Sequence, residues 1–194
     1  MTDDPRPMFF RSADQIQGLV AGVRAEQLTQ PTPCQEYDVQ ALLGHILYVF
    51  RRVTTVMAGG QASDVPHVTT GIAADGWHDA FTDARSRLED TLADAAVLDT
   101  TYTFPFGTLP GSAALGGFVF ELGVHTWDLV AATGQQVELD PEIGATALAT
   151  ARQALPAEPR DSLPFDAVVP VPEDADVYDQ LAGWAGRDPY AVRT

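Results

Sequence analysis

The sequence predicts an all-α fold, a four-helix bundle with a small C-terminal appendage and a short β-pairing. Three observations predict it. Four long stretches repeat apolar residues three and four positions apart, the spacing that gathers side chains on one helix face. Capping residues precede several of these stretches, and connectors rich in Pro, Gly, Ser and Thr separate them. At 194 residues and 45% hydrophobic composition the chain is large enough for one core, and a single domain over residues 1–194 is expected.

The first helix is expected over residues 12–29. Ser12 and Gln15 have the spacing of a capping box, and Ile16, Leu19, Val20 and Val23 follow on one face. Pro31 and Pro33 prevent its continuation, because proline disfavours helical geometry in the residue before it. Asp38 caps the second helix, residues 38–57, whose stripe runs through Val39, Leu42, Leu43, Ile46, Val49, Phe50 and Val53. Residues 58–76 have loop composition and contain His67. Trp77, Phe81, Ala84, Leu88 and Leu92 mark a third helix, residues 77–96. Residues 101–106 alternate like a strand and are then broken by Gly107, Pro110 and Gly111, so a loop or small hairpin is expected. The fourth helix, residues 112–133, carries Leu115, Phe118, Leu122 and Leu129 along one face and stops at Gly134. A C-terminal extension, residues 135–194, holds a fifth helix that starts at Asp140-Pro141-Glu142 and a short one over residues 176–185. Between those two, residues 166–169 offer a strand that can pair with 101–106.

Eleven Lys and Arg against 27 Asp and Glu leave a formal net charge of −16 at pH 7. Such a field repels nucleic-acid backbones and anionic lipid surfaces, so neither is an expected partner. The Arg51-Arg52 pair reads as part of a solvated helix face. One cysteine, Cys34, excludes an intrachain disulfide and a Cys-rich zinc site. The N-terminus is acidic where a secretory signal is basic, and no apolar run approaches the ~20 residues that span a bilayer. A cytoplasmic location is expected.

Glu121 is the misfit in this plan. It lies between Phe118 and Leu122 at the edge of an apolar face, where a carboxylate must be protonated, ion-paired or metal-bound. His125, four residues on, stacks over it on the same face, and a carboxylate with an imidazole suits zinc, nickel or iron. His45, inside an apolar run of the second helix, is the third candidate; two His and one Glu form the donor set of an open catalytic zinc site. Plainer readings stand beside this one. His45 also reads as a hydrogen-bonded core histidine, and Glu121 with His125 as a chance helical pair. Asp128, one turn beyond His125, either orients that ligand or is a surface acid, the second being preferred. His67 and His78 read as solvent-facing, and Cys34 as a packing residue. No Gly-x-Ser-x-Gly or Gly-x-x-x-x-Gly-Lys motif is present, which argues against serine-hydrolase and nucleotide chemistry.

Two stretches carry a wider likeness. Pro31-Thr32-Pro33-Cys34 with Tyr37-Asp38-Val39 and Leu42-Leu43-Gly44-His45 is the first, and Glu121-Leu122-Gly123-Val124-His125-Thr126-Trp127-Asp128-Leu129 with Ala131-Ala132-Thr133-Gly134 the second. Together they resemble the DinB/YfiT-like metal-binding bundles, and within them the N-terminal domain of mycothiol-dependent maleylpyruvate isomerase. The ending Gly186-Arg187-Asp188-Pro189 is similar to the close of actinobacterial members, while Tyr37 stands where many members carry Trp. The resemblance implies that His45, Glu121 and His125 bind a divalent metal, zinc first and nickel or iron as alternatives. It further implies a low-molecular-weight thiol as co-substrate. The isomerase has a further C-terminal domain, whereas here residues 156–194 follow the fifth helix, so isomerisation of maleylpyruvate itself is not the expected reaction.

The expected function is therefore thiol-dependent transfer or isomerisation on a small electrophile. Arg85 and Arg87 are candidate catalytic cations for a carboxylate on that electrophile, because a guanidinium binds carboxylates in a bidentate manner. Solvated pairing with Asp83, Glu89 and Asp90 is the plainer reading of both. A non-catalytic metal-binding module and a purely structural or interaction bundle are the alternatives, and homodimerisation through an apolar face is left open.

Overall fold

The computed structural model describes residues 4–35, 37–161 and 163–191. Among these residues it contains α1 Arg6–Ala21, α2 Val39–Met57, α3 Trp77–Leu92, α4 Ala96–Asp99, β1 Thr101–Phe104, β2 Gly107–Pro110, α5 Gly111–Thr133, α6 Pro141–Ala154 and α7 Val177–Trp184. Helices α1 and α2 each pack against both α3 and α5, so the four close a ring of neighbours. That ring is the four-helix bundle that the apolar periodicity predicts. Phe9, Ile16, Leu42, Leu43, Ile46, Phe50, Phe81, Leu88 and Leu115 are fully buried inside it. Each such side chain stabilises the fold by roughly 1.5–3 kcal/mol.

Helix α1 begins six residues before the predicted start. Pro5 is its N-cap and Pro7 lies in the first turn, where proline is tolerated because those amides have no helical partner. Ser12 is consequently an interior residue whose Oγ donates to the Met8 carbonyl at 2.9 Å. The helix ends at Gly22, and residues 25–27 form a separate 3-10 turn. Asp38 caps α2, its carboxylate accepting from the Ala41 amide at 2.8 Å. Helix α3 stops at Leu92, short of residue 96, because Asp94 accepts from the Ala96 amide and starts the short α4.

The strand partner also differs from the expectation. β1 pairs antiparallel with β2 in a hairpin, Thr101 opposite Pro110 and Phe104 opposite Gly107. Residues 166–169 form no strand; the Val169 amide instead donates to the Gly183 carbonyl beside α7. Gly107 adopts φ +147°, open to glycine, and lets Phe104 turn inward to meet Phe118 edge-on at 5.2 Å.

Helix α5 departs furthest from its predicted pattern. One apolar face was expected, yet from Phe118 to Leu129 every residue except Glu121 is buried. The cause is the C-terminal extension: α6 and α7 pack on α5 and on each other, covering the side that a plain bundle leaves wet. The approach is close, since a Cβ at Gly123 would stand 2.7 Å from that of Ala147.

Tyr178 on α7 ties this appendage to α1. Gln15 Nε2 donates to its hydroxyl at 2.8 Å, and the hydroxyl donates to the Asp140 carbonyl at 3.1 Å. Burial pushes the Tyr178 phenol up to about 12 from 10.0. A folded-state pKa above the unfolded one gives stability that is complete below the unfolded value and lost as pH rises through the folded one. Urea midpoints of the native protein are therefore expected to fall between pH 10 and pH 12, and that fall is expected to be smaller in Tyr178→Phe.

Candidate metal centre

Helices α2 and α5 lie side by side, and their facing surfaces bring the three sequence-predicted donors together. His45 from α2 and Glu121 and His125 from α5 each place one ligand atom within 4.8 Å of the other two. His45 Nε2 stands 3.3 Å from Glu121 Oε1. The His45 and His125 rings lie 4.9 Å apart at 78°. Donors bound to zinc at about 2.0–2.1 Å are separated by roughly 3.3 Å in a tetrahedron, so one pair already has that spacing and the others lie within 4.8 Å. Two imidazoles and one carboxylate fit a borderline divalent ion.

The charges around the three donors are matched to that use. Glu121 keeps 23% of its side chain exposed. Burial alone would raise its pKa, but the hydrogen bond from His45 and the charge of Arg52 hold it below the usual carboxylate range. Arg52 Nη2 donates to Glu121 Oε2 at 2.9 Å, Nη1 donates to the Tyr48 hydroxyl at 2.8 Å, and the guanidinium lies 4.5 Å from the Tyr48 ring centre. Arg52 is thus buried, not part of a solvated face; seven residues separate it from His45, so two helical turns return it to the same side of α2. Sequence reasoning missed this residue because Arg51 beside it made the pair look like surface charge.

His125 is held from behind. Its Nδ1–H donates to Asp128 Oδ2 at 3.0 Å, which leaves Nε2 with the lone pair that a metal needs. Burial holds the His125 imidazole below its usual pKa against the opposing hydrogen bond to Asp128, which favours the neutral ring. Asp128 is completely buried, which corrects its preferred reading as a surface acid. Arg187 supplies its counter-charge, Nε donating to Oδ1 at 3.2 Å and Nη2 to Oδ2 at 3.0 Å. Arg187 lies in the Gly-Arg-Asp-Pro ending, a signal present in the sequence without an evident role.

His45 has its own support in Tyr37, whose hydroxyl is 3.4 Å from Nδ1 and whose ring stacks on the imidazole at 5.2 Å. His67 is exposed, as a loop histidine is expected to be, yet its ring is only 5.0 Å from that of His45. His78 is exposed at the start of α3. Arg85 donates to Asp14 at 2.7 Å and lies over Phe10, and Arg87 donates to Asp83 at 2.9 Å. Among the described residues, none of these arginine contacts reaches the three donors. No helix among the described residues is long and apolar enough to cross a membrane.

Residues 9–130 match the family model of the mycothiol maleylpyruvate isomerase N-terminal domain. The chain belongs to this family. It is 32% identical over 185 residues to Uncharacterized protein Rv0738 of Mycobacterium tuberculosis, strain H37Rv, across 95% of this chain and 98% of that protein. Uncharacterized protein MT0763 of strain CDC 1551 matches to the same extent. The crystal structure of the mycothiol-dependent maleylpyruvate isomerase shares the fold, with a TM-score of 0.60 and 14% identity over 77% of this chain and 67% of that one. The stretch that matches the isomerase N-terminal family contains His45, Glu121, His125 and Asp128, whereas Arg187 lies beyond it.

Proposed function

We propose that this member of the isomerase N-terminal family is a metal-dependent thiol transferase or isomerase, holding one divalent ion through His45, Glu121 and His125. The convergence of two imidazoles and a carboxylate on facing helices carries the reading. Zinc is the ion that the donor set favours, with nickel and iron as alternatives. The family name supports a low-molecular-weight thiol such as mycothiol as co-substrate; a small electrophile as its partner and a cytoplasmic location belong to the proposal.

The bound ion would lower the pKa of a thiol, making it a nucleophilic thiolate at neutral pH. The chain's residues prepare for this. His45 and Arg52 together hold Glu121 below the usual carboxylate range, and Arg52 fixes its orientation. Asp128 holds the Nδ1–H tautomer of His125, and Tyr37 meets the corresponding nitrogen of His45. Arg85 and Arg87, the cations proposed for a substrate carboxylate, are paired with Asp14 of α1 and Asp83 of α3, while Arg52 bonds directly to one of the three donors.

Calorimetric titration with zinc, followed by assays of thiol consumption against small electrophiles, tests the proposal. One equivalent of zinc and turnover that requires both ion and thiol are expected. Zinc binding without thiol-dependent turnover would instead favour a non-catalytic metal-binding module. The Arg52–Glu121 ion pair at 2.9 Å favours a further reading, a structural bundle in which Glu121 is satisfied without metal; that reading predicts no zinc at all.

A further inference from the structure

We propose that His67 is a fourth, displaceable ligand of the ion assigned to His45, Glu121 and His125, an inference that rests on the metal-binding reading above. The loop over residues 58–76 is fixed to α2 beside the site. The Thr69 amide donates to the Gly44 carbonyl at 3.0 Å, and Arg51 Nη1 donates to Thr69 Oγ1 at 3.3 Å. The contact is so close that a Cβ at Gly44 would stand 2.3 Å from the Thr69 oxygen. Gly44 precedes His45 and Thr69 follows His67 by two residues, so this backbone clasp places one imidazole over the other.

The ring geometry agrees. His67 lies 5.0 Å from the His45 ring, against 4.9 Å between His45 and His125, the pair that the metal reading already joins. One hydroxyl serves both rings: Tyr37 Oη is 3.4 Å from His45 Nδ1 and 3.5 Å from His67 Nδ1. The shared hydroxyl thus keeps the two Nδ1 atoms on a common partner. His67 stands outside the tight group formed by the three donors, so to act as the fourth ligand its side chain must rotate toward them when the ion binds.

His67 is exposed while His45 and His125 are buried, which puts it on the solvent side of the two buried rings. Three protein donors leave zinc an open position and a fourth closes it. An imidazole on a surface loop is a ligand that a softer thiolate can displace. His67 would therefore guard the open position in the resting protein and yield it to the co-substrate.

Long-range proton–nitrogen spectra of the 15N-labelled protein resolve this, since the chain has 4 histidines and His78 serves as the internal reference. One equivalent of zinc is expected to move the ring nitrogens of His45, His125 and His67 and to leave His78 unchanged. Mycothiol is then expected to return His67 alone to its metal-free position. His67→Ala removes an exposed side chain and is expected to weaken zinc binding at least about 10-fold, the lower bound for loss of a supporting group, in competition with a chromophoric chelator. Movement of His45 and His125 alone, with unchanged affinity in His67→Ala, would overturn the fourth ligand and leave the three-donor site standing. No movement of any ring would overturn both.

Discussion

His45→Ala is expected to strip the protein of stoichiometric zinc while leaving the bundle folded. It removes one of three donors, so the loss should exceed the roughly 10- to 100-fold that follows loss of a supporting group. The substitution also uncovers no buried charge, because Arg52 keeps its pair with Glu121. Glu121→Ala lacks that advantage. It would leave the Arg52 guanidinium, 6% exposed, without a counter-ion, and any lost metal would be confounded with lost stability. Glu121→Gln is the better companion, since it preserves an acceptor for Arg52 and removes the anionic donor. Elemental analysis after gel filtration, with circular dichroism on the same samples, decides the matter. Full zinc retention in His45→Ala would remove that residue from the site.

The largest stability effect is expected at Asp128. Its carboxylate is inaccessible, and Asp128→Ala strands Arg187 in a site where only 9% of that side chain meets solvent. Breaking a buried pair on one side costs roughly 3–5 kcal/mol. Against a typical total of about 5–15 kcal/mol, that is enough to move a urea midpoint far to the left. The acid limb should report the same pair. Burial would raise the Asp128 pKa, yet Arg187 and the hydrogen bond from His125 hold it below the usual carboxylate value. A depressed folded-state pKa gives stability that is present above the unfolded value, about 3.9, and lost as pH falls through the folded one. Native protein should weaken as pH drops below about 4, and Asp128→Asn should lack this contribution. An unchanged acid limb in Asp128→Asn would show that other carboxylates dominate it.

Periodicity made the bundle legible in the sequence, since Leu42, Leu43, Ile46, Phe81 and Leu88 could be assigned to buried faces without knowing their partners. The start of α1 was obscured because Pro5 and Pro7 look like breakers and are instead part of a first turn. Glu121 and His125 could be paired because four residues on a helix is a fixed distance. Their supporting groups could not. Arg187 meets Asp128 across 59 residues, and His67 meets His45 through a loop with no periodic signal. Such contacts are set by how elements dock, and a single sequence records docking only through the residues it leaves apolar. Arg52 was the partial exception, since its spacing from His45 marked a shared face that its charge disguised.

The wrapping of α5 has a consequence for motion as well as for packing. A helix covered by the bundle on one side and by α6 and α7 on the other has few routes to local opening, so its amides should exchange with solvent only when the whole domain opens. Glu121 and His125 therefore ride on backbone that stays closed for as long as the protein is folded. His67 sits on a surface loop clasped to α2 at Thr69, and its side chain, unlike the two donors on α5, is exposed. In the proposed centre, donors on slowly exchanging backbone would face an exposed imidazole, the class of side chain that changes rotamer fastest.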